Sequence, residues 1–428
     1  MRAELPIRQW RPGRLLGAPH RLSFAGAAAL LTMASLWWAT VNIASNLGLA
    51  MPMSLPPAVA HGALMTFGFM PMFFVGFLFT AGPKWLHTPP VTARALAAPV
   101  AAQLVGWLLY MVSFHVGEAG AARALCVSGV AIALSGWSGV VLQFVRMLRR
   151  SRADDKVHLR LVALAATFGI VGLGLVAFGL LGGSVRLVRG AIHLSLWWFI
   201  GLTFAAMAHR MVPFFSGAAA AALQARWPTW MLWCLALLFL FEGGASFIEV
   251  LGWSDSPAWR FAHASVELAS GVGLLVLARR SAAAAALRLR MPGMLFAGFV
   301  WLGASFVLAG AARLASQSLL DTRDLQLAAT HAYTMGFLGS TLFAMVTRVA
   351  SGQSGRTVAA DGTTWRLFWL LQSAVGVRIG GGLVAPVSPR TAAVLIAGSA
   401  ILWAVACLAW SARCMAWYGL PRIDGREG

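Results

Sequence analysis

Apolar residues along this chain fall into long runs broken by short clusters rich in arginine, glycine or proline, the pattern of helices that cross a hydrocarbon core ~30 Å thick. Twelve runs stand out, at roughly 22–49, 57–81, 92–115, 119–147, 157–182, 187–215, 229–251, 258–278, 292–316, 325–350, 364–386 and 391–417. They predict an all-α polytopic membrane bundle of about twelve transmembrane helices. An N-terminal tail covers 1–21, the twelve-span membrane domain 22–417 and a C-terminal tail 418–428. No phosphate-binding glycine loop and no long extramembrane stretch interrupts the runs, which argues against a nucleotide-driven machine.

The tenth run is the most distinctive. From His331 to Arg356 it reads HAYTMGFLGSTLFAMVTRVASGQSGR, with an imidazole at one end and a basic, Gly/Ser-rich turn at the other. At ~1.5 Å per residue, His331 and Arg348 stand roughly 25 Å apart, most of a membrane core. His193, Gly201, Thr203, Ala206, Met207 and Arg210 repeat the spacing of His331, Gly339, Thr341, Ala344, Met345 and Arg348. His61, Met65 and Phe67 repeat only its beginning. The three histidines divide the chain into near-equal thirds.

Composition narrows the class further. With 59% hydrophobic and 11% charged residues over 428 positions, an ordinary soluble domain is excluded. A net charge of +20 would suggest nucleic acid in a soluble protein. Here the arginines cluster between apolar runs, where they face anionic lipid, so the bilayer is the expected partner and nucleic acid is not. Roughly three quarters of the Lys and Arg residues fall on the side of the N-terminus, which puts both termini in the cytoplasm. Cys126, Cys234, Cys407 and Cys414 form no CxxC pair and read as core residues. Most tryptophans near run ends, Trp37 and Trp38 among them, read as interfacial anchors.

The candidate chemistry lies in one layer. His61, His193, His263 and His331 each fall a turn or two into spans that start on the outer side, and His115 closes span three at the same face. A lone intramembrane histidine is usually a packing residue, but four at one depth suggest metal ligands, because neutral imidazole binds haem iron and copper. Glu267 lies one turn after His263 and would orient it or move a proton, and Glu242 and Glu249 share a face of span seven. Arg378 and Arg313, at outer ends, would pair with haem propionates or snorkel to headgroups. His20, His87 and His158 read as solvated, and His209 is ambiguous.

Three segments resemble the NnrS family of bacterial inner-membrane proteins: HGALMTFGFMPMFFVGFLFTAGPKW from His61, HRMVPFFS from His209, and the His331–Arg356 run. The resemblance implies a bacterial cytoplasmic membrane, b-type haem, copper, and a role in nitric oxide metabolism or nitrosative stress. Where the family pattern has a second histidine and a glutamate, this chain has Ala63 and Leu64, and Gln353 replaces a further histidine. These departures bear on copper above all. The architecture also resembles haem-copper oxidases, whose three four-helix arcs carry histidines in spans two, six and ten.

The resulting expectation is a haem protein that binds, reduces or buffers nitric oxide, drawing on an electron donor that the sequence does not identify. His61 and His331 are its axial ligands. His193 and His263 form a copper or second-metal pair supported by Glu267, with His115, a Met or water completing the site and Glu267 or Glu249 relaying protons if there is catalysis. The alternatives are a proton-coupled secondary transporter with a site near Glu242 and no chromophore, and a haem-binding sensor or assembly protein without turnover.

Overall fold

The computed structural model describes residues 9–215, 228–254, 256–281, 289–316, 322–356 and 360–425. Side chains 212–215, including the predicted Pro213–Phe215 turn, lie outside that description, as do residues 1–8 and 426–428 of the predicted tails.

The described residues are helical almost throughout. In chain order the helices are α1 Pro19–Asn46, α2 Pro57–Leu86, α3 Ala93–Ser113, α4 Ala119–Arg150, α5 Val157–Leu181, α6 Val185–Met211, α7 Thr229–Val250, α8 Pro257–Ser281 and α9 Arg290–Ala315. They continue as α10, made of the consecutive stretches Arg323–His331, Ala332–Gly339 and Ser340–Gln353, then α11 Gly362–Val384 and α12 Pro389–Gly419. Among the described residues eleven of these are long and apolar enough to cross a membrane. The exception is α10, whose histidine, threonines and glycines lower its hydropathy although it is long enough to span. Its neighbours rather than lipid surround most of it, so it needs less apolar surface.

Three helices occupy the interior. α2 and α6 are the most buried of the eleven, and α10 is buried almost continuously from Gly336 to Val346. Phe74 of α2, Phe204 of α6 and Phe337 of α10 join them, with ring centroids 5.4 Å apart for the first pair and 6.2 Å for the second. The remaining helices pack around this centre, α1 against α12, α12 against α11, α3 against α4 and α8 against α9. Small residues permit the closest approaches: the α-carbon of Gly106 faces the backbone of Gly129 and Ala133 so closely that a methyl group there would lie 2.5 Å from a carbonyl oxygen.

Each of the three central helices widens into a π-helical stretch just after its histidine. These are Leu64–Gly68 after His61, Leu196–Gly201 after His193 and Ala332–Gly339 after His331. The threefold spacing seen in the sequence thus corresponds to a threefold structural feature. A π turn shifts the hydrogen-bond register and leaves a backbone carbonyl available to another group, and such turns concentrate at functional sites.

The described residues near the two termini pack on one another. Trp10 Nε1 donates to Met415 O at 3.0 Å, the Arg11 amide donates to Gly419 O at 3.0 Å, and Arg21 Nη1 donates to Tyr418 O at 3.3 Å. The chain ends therefore dock on one another, because α12 runs on to Gly419 and offers unsatisfied carbonyls to the basic N-terminal segment.

Candidate functional site

The sequence-selected residues separate into two groups. The first joins α2, α10 and α11. His331 Nδ1 lies 2.6 Å from the carbonyl oxygen of Leu327, one turn earlier in α10. A carbonyl only accepts, so Nδ1 carries the proton and the Nε2 lone pair is left for another partner. His61 and Arg378 both lie within electrostatic reach of His331. His61 stacks on Trp38 of α1, with centroids 4.0 Å apart and planes 16° from parallel. Its Nδ1 is buried and has no hydrogen-bond partner among the described residues. Arg378 is buried too, and its Nη1 likewise has no such partner.

Local sequence explains how Arg378 reaches this position. Gly382, one turn beyond it on the same face of α11, meets α10 so closely that a methyl group would lie 2.8 Å from Ala328 Cβ and from Asp324 O. The Gly-rich run after Arg378 thereby lets α11 close onto the turn of α10 that precedes His331. Burying a guanidinium is costly; Asp324 lies within electrostatic reach of Arg378, and the Nη1 that has no partner among the described residues leaves a donor for a further anionic group.

The second group joins α7, α8 and α9. His263 is fully buried, with Nδ1 2.7 Å from Glu249 Oε1 and Nε2 3.2 Å from Glu242 Oε2 and 3.6 Å from Glu267 Oε1. Arg313 closes the cluster. Its Nε and Nη2 donate to the two oxygens of Glu267 at 3.0 and 3.1 Å, and its Nη1 donates to Glu249 Oε2 at 2.7 Å. Trp259 Nε1 adds a third donor to Glu249, at 2.8 Å.

The grouping separates several residues that the sequence placed together. His263 does not pair with His193, because carboxylates face both of its ring nitrogens. His193 lies half-buried at the start of α6, within electrostatic reach of Arg189 and Glu249. His115 is exposed, and both of its nitrogens are engaged: Nδ1 donates to Pro52 O at 3.2 Å and Nε2 accepts from Trp37 Nε1 at 3.1 Å. Arg313 pairs with Glu249 and Glu267, whereas Arg378 carries the guanidinium of the first group. Glu249 and Glu267 engage Arg313, His263 and Trp259 rather than His61 or His331.

Two readings made outside the site also change. Trp38, read as an interfacial anchor, covers the face of His61, and nothing in its sequence position signals that. His20 is buried rather than solvated, and His158 Nε2 lies 3.0 Å from His209 Nδ1 instead of facing water alone.

With this geometry in view, the family comparison carries weight. A family model described as NnrS protein matches residues 14–422, nearly the whole chain and both groups of side chains. No curated protein matches it. The chain belongs to the NnrS family.

Proposed function

From that membership we propose that this protein is a haem-binding member of the NnrS family, set in a bacterial cytoplasmic membrane with both termini inside, that takes part in nitric oxide metabolism or resistance to nitrosative stress. The observation that carries the haem assignment is the tautomer of His331: its Nδ1–H is fixed by Leu327, which presents Nε2 as a ligand atom. His61 on the adjacent central helix supplies a second imidazole, and its buried Nδ1 has no hydrogen-bond partner among the described residues, which supports a further group there.

The residues fit the group in charge as well as in ligand type. A haem carries propionate carboxylates, and Arg378, with a buried N–H that has no partner among the described residues, is a donor suited to one of them. When bound, haem iron supplies reversible binding of a diatomic ligand and one-electron chemistry. The chain's own contribution is to bring two imidazoles and one cation together within the helical bundle. Trp38 fixes the plane of the His61 ring, and the Leu327 carbonyl fixes that of His331.

The test is the optical spectrum of protein purified from haem-sufficient cells. Wild type shows a Soret band, His331→Ala and His61→Ala lose or shift it, and Arg378→Met lowers haem content. A Soret-free wild type, or an unchanged spectrum in His331→Ala, overturns the proposal.

A further inference from the structure

The cluster between α7, α8 and α9 has the composition and spacing of a metal centre that involves neither His61 nor His331. One ligand atom from each of Glu242, His263 and Glu267 lies within 4.8 Å of the others, and all three residues are buried. We propose that these three side chains bind a divalent cation of hard-to-borderline character, of the manganese, ferrous iron or zinc type.

Four observations support this. The first is spacing: ligands of a tetrahedral ion with bonds near 2.1 Å stand about 3.4 Å apart, and His263 Nε2 lies 3.2 Å from Glu242 Oε2 and 3.6 Å from Glu267 Oε1. The second is the arrangement behind the imidazole. A metal-bound histidine commonly donates its other N–H to a carboxylate, and here Nδ1 sits 2.7 Å from Glu249 Oε1. Glu249 is itself fixed by Trp259 and Arg313, so it orients the ring without being a ligand.

The third observation is an unpartnered atom. Glu242 is 2% exposed, and its Oε1 has no hydrogen-bond partner among the described residues although its other oxygen faces His263. A buried carboxylate oxygen left unsatisfied costs free energy that a cation would recover. The fourth is charge. Three carboxylates gather around one guanidinium and one imidazole, and a divalent ion would add positive charge to that set. Glu267 is able to serve both partners, since each oxygen that accepts from Arg313 keeps a second lone pair.

The donor set also constrains the ion. Two carboxylates and one imidazole suit manganese, ferrous iron or zinc, whereas cuprous copper favours thiolate and thioether sulfur. Three protein ligands leave at least one position open, as catalytic rather than structural sites do.

The experiment is equilibrium dialysis of chelator-stripped, full-length protein in detergent against Mn2+ or Zn2+, with metal counted by mass spectrometry. Wild type takes up one equivalent; Glu242→Gln and Glu267→Gln, checked for folding by size exclusion, lose at least tenfold in affinity. Failure of the wild type to take up stoichiometric metal overturns the proposal, as does undiminished uptake by both folded variants. If one variant does not fold, the other and the wild-type stoichiometry still decide. Haem content read on the same samples separates this result from the fate of the His61–His331 assignment. Two protons held in place of a metal would appear as no uptake.

Discussion

The hydroxyl of Tyr333 donates to the carbonyl oxygen of Leu196 at 3.0 Å, and the two residues belong to π-helical stretches of different central helices. The ring of Tyr333 also stacks on Trp197, with centroids 4.0 Å apart. The widened turns after His193 and His331 are thus fastened to each other, and the bond gives a use to a carbonyl in a shifted register.

Tyr333→Phe should therefore remove one buried hydrogen bond and leave Leu196 O without it, costing about 1–3 kcal/mol. A lowered thermal midpoint in detergent is the expected result. An unchanged midpoint would show that the carbonyl finds another partner.

Gly201 lies beneath the same contact. A methyl group there would lie 2.5 Å from Tyr333 Oη and 3.0 Å from Phe239, so Gly201→Ala should destabilise by about 1–3 kcal/mol. Gly174, on α5, has nothing within 4 Å of an added methyl, and Gly174→Ala should be neutral or slightly stabilising. Comparing the two midpoints separates steric conflict from helix propensity.

Arg313→Met should be strongly destabilising. It leaves the buried Glu267 and the partly buried Glu249 without their shared cation, a loss of about 3–5 kcal/mol. Arg313→Met combined with Glu267→Gln should be less harmful than Arg313→Met alone, because fewer uncompensated charges stay buried. Equal damage in the single and double variants, measured by thermal unfolding, would contradict this account.

Asp361 caps α11, accepting from the Thr364 amide at 2.9 Å and pairing with Arg413. Partial burial works to raise its pKa, but the Thr364 hydrogen bonds and Arg413 outweigh that and hold it below the ordinary carboxylate value. A depressed folded pKa gives stability that is present above the unfolded value and lost as pH falls through the folded one. The contribution should therefore fade below about pH 4. Asp361→Ala should cost about 1 kcal/mol at neutral pH, and that cost should shrink as the pH falls below about 4, as read from midpoints across that range.

Much of this was legible in one dimension. Long apolar runs allow few outcomes other than membrane helices, since a backbone in lipid must satisfy its own hydrogen bonds, so the number and order of the helices follow from composition and spacing. The repeat at His61, His193 and His331 could be read in the same way. Which histidine meets which partner could not. Depth along a helix axis is set by residue number, but rotation about that axis is set by packing against neighbours distant in sequence. Tight packing at Gly382 brings Arg378 toward His331, Trp38 reaches His61 from α1, and Glu242 and Glu249 meet His263 across two helices. One layer of imidazoles in the sequence is therefore, in the fold, a histidine pair beside Arg378 and a separate carboxylate cluster around His263. Only the tertiary structure fixes the azimuth of each side chain, and with it this division.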